Sequence, residues 1–364
     1  MASFLWHKLI SFYCFFLSLA VLLCYGRAET SSVAAMYVFG DSLVDVGNNN
    51  YLSLSLIKAD IPYNGVDYPS KKATGRFSNG KNAADFISEQ LGLATAPPYL
   101  SQPDSVFVKG VSFASGGAGI FNTTDQSLLK GTIPLPHQVG YFSTVRQRLV
   151  KEMGSSAVQE HLSKSLFPVV IGNNDIINYF NTGSDMQKKY TPQQYVTLMV
   201  SNLKELLKGI YGLGARRFLL VGLPPIGCAP KQRYTSATNE CNEEVNNWSK
   251  KFNEEVRQML PELQVELKDF RYSYFDTYSV FVDFIENPAI YGFNETKAAC
   301  CGLGKLRAKL PCTPLALYCS DRNSHVFWDV YHPTEAAARI FISKLFDGSG
   351  DYVSPITVKQ LISM

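Results

Sequence analysis

Apolar positions along the chain fall into two patterns. Short continuous runs, each ended by glycine or a turn tripeptide, alternate with longer stretches in which apolar side chains recur at helical spacing. The first run is Ala34-Ala35-Met36-Tyr37-Val38-Phe39, broken by Gly40-Asp41-Ser42. Others are 105–108 and 111–114 on either side of Gly110, 166–171 stopping at Gly172, 217–221 stopping at Gly222, and 264–267 leading towards Tyr274-Phe275-Asp276. Runs of this length bounded by turn residues predict buried strands. The amphipathic stretches 82–91, 191–213 closed by Gly214, and 242–260 closed by Pro261 predict helices, and 181–190 reads as a surface loop. Strand and helix repeated in alternation imply a mostly parallel sheet covered on both faces. The expected fold is therefore a single three-layer α/β/α domain.

Composition narrows the setting. With 364 residues, 46% of them hydrophobic and 18% charged, the chain is too apolar for intrinsic disorder. Residues Met1 to Ala28 contain no acid, carry Lys8 early, run apolar from Leu9 to Cys24 and end in Gly26-Arg27-Ala28, the pattern of a signal peptide. Its removal leaves 29–364 as the expected domain and lowers the net charge from +3 to about +1. A balance that close to zero gives no basic face for a nucleic-acid partner. No later apolar run approaches the roughly 20 residues of a membrane span, so no integral span is expected and the protein reads as secreted.

Six cysteines remain after the signal: Cys228, Cys241, Cys300, Cys301, Cys312 and Cys319. An even number in an oxidising compartment favours disulfides, with Cys228 and Cys241 bracketing one loop and the other four crowded into one segment, so that each group closes locally. Zinc-type spacing is missing, and no metal is expected. Sequons begin at Asn122, Asn247 and Asn294 and suit a secretory route.

In an open parallel sheet, ligands gather at the carboxyl ends of the strands, so the residues after each apolar run carry the chemistry. Those residues are Gly40-Asp41-Ser42-Leu43, Ser115-Gly116-Gly117-Ala118-Gly119 and Gly172-Asn173-Asn174-Asp175, with Asp329-Val330-Tyr331-His332 near the end of the chain. A serine hydroxyl needs an imidazole to take its proton, and the imidazole needs a carboxylate on its other nitrogen. Asp329 and His332, three apart, can form that pair through a turn of local chain. Donors for an oxyanion are the Ser42 N–H, an N–H of the glycine stretch and the Asn174 amide.

At these residues the chain resembles the GDSL esterase/lipase family within the SGNH hydrolases, most closely the secreted plant branch. Val38-Phe39-Gly40-Asp41-Ser42-Leu43 is similar to that branch's first block, Phe113-Ala114-Ser115-Gly116-Gly117-Ala118-Gly119 to its second, Ile171-Gly172-Asn173-Asn174-Asp175 to its third, and Asp329-x-x-His332 to its fifth. Leu223-Pro224-Pro225-Ile226-Gly227-Cys228 and Cys300-Cys301-Gly302 extend the likeness. Ser112 departs from it, since the family usually has asparagine there. The resemblance implies an SGNH-type α/β/α fold and a serine hydrolase of carboxylic esters that uses no cofactor. In this assignment Ser42, His332 and Asp329 are the triad, Ser42, Gly117 and Asn174 form the oxyanion hole, Gly116 is the alternative glycine, and the destination is the apoplast.

Other assignments compete. Gly110-Val111-Ser112-Phe113-Ala114 imitates the nucleophile turn of α/β-hydrolases, but Ser112 lies inside an apolar run rather than at a strand-to-helix turn. Acids such as Asp276 and Asp283 allow a glycosidase. A polysaccharide acetylesterase or a non-catalytic glycan-binding module is the further alternative. His137, His161 and His325 read as structural or solvated, and Asp41 as a residue that caps or orients its loop.

Overall fold

The computed structural model describes residues 33–124, 131–347 and 351–364, so the expected signal peptide, Met1 to Ala28, lies outside the described residues. Five parallel strands build the central sheet: β1 (Met36–Gly40), β2 (Gly110–Ser112), β3 (Leu166–Val170), β4 (Arg217–Val221) and β5 (Arg271–Phe275). Their spatial order is β5-β4-β3-β1-β2, and the short strand Val353–Ser354 pairs antiparallel on the outer side of β5. β1 sits between β3 and β2, with Gly40 opposite Val170 and Val38 opposite Ser112. The chain therefore leaves β1 for one side and returns across it to the other, which makes the carboxyl ends of β1 and β3 the switch point of the topology.

Every residue of β1 is buried, and its side chains alternate between two cores. Tyr37 and Phe39 join Phe167, Val169, Phe218, Leu220 and Tyr274 under the helices Leu135–Met153, Pro192–Gly212 and Glu243–Glu266. Met36 and Val38 face the opposite layer with Leu166, Leu219 and Phe275, under Ala83–Gln90, Thr277–Glu286 and Glu335–Phe346. That two-residue alternation between apolar partners on both faces produces the three layers.

Helix ends follow local chemistry. Asn82 and Thr191 each close a capping box, with Asp85 and Gln194 respectively. Pro261 does not end its helix, which continues to Glu266. Proline forfeits one backbone bond, but Leu260 and Leu263 are fully buried on the core face, and that burial outweighs the local loss. The run 264–267 consequently belongs to the helix end and its cap, and Val265 points into solvent. Residues 105–108 lie outside the sheet, because the chain enters β2 only at Gly110. The loop after Asn181 contains a short helix, Asp185–Lys189. His137 lies in the helix Leu135–Met153.

The cysteines close locally as Cys228–Cys241, Cys300–Cys319 and Cys301–Cys312.

Candidate active site

β1 ends in close backbone contact with β3. A Cβ on Gly40 would stand 2.5 Å from the Val170 carbonyl oxygen and 2.7 Å from Val44, so only glycine fits there. Where the chain turns out of the sheet, the Gln138 side chain clamps Gly40: its Oε1 accepts the Gly40 N–H at 2.9 Å, and its Nε2 donates at 2.8 Å to the Gly40 carbonyl, which also accepts the Ser115 N–H at 3.0 Å. The Asp41 carboxylate accepts the Leu43 N–H at 3.0 Å and the Asn173 amide at 2.9 Å. Asp41 thus orients the loop, and the turn carries Ser42 to the edge between β1 and β3.

The other half of the site is a short turn. The N–H of fully buried Trp328 donates to the His332 carbonyl at 2.8 Å. Asp329 Oδ1 accepts the N–H groups of Tyr331 and His332, both at 2.9 Å, so local backbone fixes the carboxylate. His332 Nδ1 lies 2.8 Å from both Asp329 oxygens, and Nε2 lies 2.7 Å from Ser42 Oγ. With a proton on Nδ1 held by the carboxylate, Nε2 is free to accept the serine proton. The Phe77 ring lies over the imidazole with centroids 4.9 Å apart.

Burial alone would lower the His332 pKa, but the charge and hydrogen bond of Asp329, with the charge of Asp41 behind, outweigh it and hold the imidazole above its ordinary value. Burial pushes the Asp329 carboxyl up, while His332 and the two backbone donors more than offset this and hold it below the usual range. Burial wins at Asp41 and Asp45, whose pKa values are both pushed up to about 6 despite their hydrogen bonds.

These shifts give activity and stability opposite pH dependences. As a general base His332 would be competent only when neutral, so kcat/KM should then rise with pH through a group above the ordinary 6.5. Asp41, Asp45 and His332 bind protons more tightly folded than unfolded, so the stability they add is present at low pH and lost as pH rises through their folded values. A melting temperature that falls as pH rises through about 6, where Asp41 and Asp45 ionise, and on through the raised His332 value, where kcat/KM climbs, is expected. Parallel pH curves for the two quantities would contradict it.

The glycine stretch is tied to the first block by hydrogen bonds. Asp45 accepts the N–H groups of Gly47, Asn48 and Gly116, Asn48 donates to the carbonyls of Ser112 and Ala114, and Asn49 donates to that of Gly116. Gly116 is committed to Asp45, which favours Gly117 as the donor. Gly117 sits at φ +79°, a left-handed turn conformation suited to glycine. One N–H of the Asn174 amide holds the Ala118 carbonyl at 2.8 Å, leaving the second for a ligand. Ser42, Gly117, Asn174, Asp329 and His332 line one cleft of about 590 Å³. If its free N–H serves an oxyanion, Asn174→Ala is expected to lower kcat about 10²–10³-fold, the cost of one such donor, with KM little changed. Steady-state kinetics on a soluble ester checks this.

The competing residues lie elsewhere. Ser112 is fully buried within β2, its hydroxyl 3.4 Å from the Val44 carbonyl. Asp276 caps the helix Thr277–Glu286, and Asp283 bonds Tyr291, Asn287 and Tyr352. His161 meets the Tyr37 hydroxyl, and His325 Nδ1 lies 3.0 Å from the Asp321 carbonyl. Gln138 and Phe77 are additions to the sequence analysis: a glutamine within an amphipathic helix and a phenylalanine in a glycine-rich loop carry no signal of their own. Asn173 was legible only as part of its block. Among the described residues no cluster of His, Cys, Asp and Glu is placed to hold a metal, and no helix is long and apolar enough to cross a membrane.

The profile of the family described as GDSL-like Lipase/Acylhydrolase matches residues 36–345. A GDSL esterase/lipase of Arabidopsis thaliana is 51% identical over 346 residues, covering 92% of this chain and 91% of that protein. A second from the same plant is 38% identical over 346 residues, covering 93% and 96%. Among solved structures, an acetylxylan esterase from Geobacillus stearothermophilus aligns with a TM-score of 0.37 at 13% identity, over 85% of this chain and 91% of that one.

Proposed function

Since the chain belongs to the GDSL-like lipase/acylhydrolase family, and is thereby a carboxylic ester hydrolase, we propose that Ser42, His332 and Asp329 are its catalytic triad. The continuous hydrogen-bonded line from Ser42 Oγ through the imidazole to the Asp329 carboxylate carries this reading. Ser42 Oγ attacks the ester carbonyl carbon while Nε2 takes its proton. The tetrahedral oxyanion is held by the N–H groups of Ser42 and Gly117 and by the Asn174 amide. The alcohol leaves with the proton from Nε2, giving the acyl-enzyme. Water then adds, again losing its proton to His332, and the carboxylic acid departs as Ser42 recovers its hydrogen.

The acyl group of this substrate is a hydrocarbon chain. Leu43, Phe77, Pro224, Phe281 and Pro333 wall the cleft and also border a second, apolar cavity of about 70 Å³ that continues past Val221, Phe341 and Ile342. Each methylene taken into such a space contributes about 0.8 kcal/mol, roughly fourfold in kcat/KM. A panel of esters should therefore show kcat/KM rising from acetyl through the next few methylenes, with acetylated xylan a poor substrate. A maximum at acetyl, or preference for the xylan, would refute the acyl-chain reading.

The same reading makes residues 29–364 one secreted domain, exported by Met1 to Ala28. It is supported by the three disulfides and by the exposure of all three sequon asparagines, Asn122, Asn247 and Asn294.

A further inference from the structure

Large apolar side chains that stand in solvent are unevenly distributed in this protein. Seven of the eleven among the described residues fall in two short segments: Tyr51, Leu54 and Leu56 in one, and Leu310, Leu315, Leu317 and Tyr318 in the other. Leu54, Leu56, Leu315 and Leu317 are 70%, 77%, 86% and 66% exposed. The remaining four, Val108, Val265, Ile290 and Met364, are far apart in the chain, as isolated surface apolar residues commonly are.

Both segments are walls of the cleft. Leu56, Ile57 and Ile61 line it from the first, and Pro311, Cys312 and Thr313 from the second. The two are joined beside it: the Tyr63 hydroxyl donates to the Pro314 carbonyl at 3.2 Å, and the rings of Tyr63 and Tyr318 lie 4.8 Å apart. Cys301–Cys312 and Cys300–Cys319 anchor the second segment, whose inward side chains, including Ala316, pack on fully buried Trp328. Leu315 and Leu317 thus stand out from a braced support. Apolar side chains held in water around a catalytic mouth are the signature of a surface that is covered in use.

We propose that this rim docks on a lipid surface, so that the cleft opens directly onto the layer that contains its ester. The inference rests on the esterase reading above and adds where that esterase works. Two observations select lipid. The rim is continuous with the cleft wall, so an occupant that settles on it controls access to Ser42, and lipid supplies substrate where a protein partner would block the mouth. The charge also fits: the two rim segments, 51–61 and 302–320, together carry Lys58, Lys305, Arg307 and Lys309 against one acid, Asp60. Apolar side chains beside cations match the acyl and headgroup zones of a layer containing anionic lipid.

The test is flotation of the purified chain with phosphatidylcholine vesicles, with and without phosphatidylglycerol, beside kinetics on a monomeric short-chain nitrophenyl ester. Wild type should float, more so with the anionic lipid, and salt should remove only that increment. Leu315→Asp with Leu317→Asp, and separately Tyr51→Asp with Leu54→Asp, none of which lines the cleft, should each lower partitioning about tenfold or more. Each should lower hydrolysis of a long-chain nitrophenyl ester held in the vesicles in proportion, while kcat/KM on the monomeric short-chain ester stays within about twofold. Wild type that fails to float, variants that float like wild type, or a wild-type dimer dissociated by these substitutions would each overturn the proposal. A wild type that floats but cannot turn over the monomeric ester would instead sink the esterase reading and leave the docking result standing.

Discussion

Alanine in place of Ser42 is expected to cut kcat on a soluble nitrophenyl ester by about 10⁶ while leaving the melting temperature within a few degrees of wild type. The size follows from what is lost. His332 Nε2 would face a methyl group and have no nucleophile to activate, so the residual rate would come only from substrate held near the oxyanion donors. The fold should tolerate the change because Ser42 is only partly buried and the turn is held by its neighbours: Asp41 by Leu43 and Asn173, and Gly40 by Gln138. Progress curves and a thermal melt on the same preparation check both halves. A Ser42→Ala protein that keeps its activity would refute the assignment of the nucleophile.

Asp329→Asn is expected to cost about 10⁴ in kcat, although it removes only a charge. The asparagine carbonyl can still accept the N–H groups of Tyr331 and His332, so the turn survives. Its amide nitrogen then faces Nδ1 as a donor, which forces the imidazole proton onto Nε2 and points it at Ser42, where a base is required. The same substitution removes the charge that outweighs burial at His332, so the acid limb of kcat/KM should move to lower pH. Loss of rate together with that displacement distinguishes a residue acting through the imidazole from one that merely supports the loop. An unmoved limb would contradict the part assigned to Asp329.

The sheet was legible because its strands are buried on both faces and read as unbroken apolar runs, each punctuated where the chain leaves the sheet. That Ser42, Gly117 and Asn174 would share one cleft was legible because that punctuation, at strand ends, is where an α/β sheet exposes side chains. Legibility failed where local signal and tertiary packing disagree. Pro261 is a stop signal overridden by the burial of Leu260 and Leu263, and 264–267 reads as a strand only until the helix is seen to run through it. The helices Leu135–Met153, Thr277–Glu286 and Glu335–Phe346 were not anticipated, and with the first went Gln138, whose role exists only where its helix packs against the end of β1. Burial of Asp45 beneath three backbone donors also depends on two distant blocks meeting.

That meeting is the central claim: a serine and a histidine 290 positions apart act as one acylating unit. The most direct measurement is labelling of the purified protein with a fluorophosphonate, followed by mapping of the modified peptide. The account requires a single phosphonylated residue, Ser42, with labelling abolished by His332→Ala. A label on Ser112, or none on a folded protein, would contradict it.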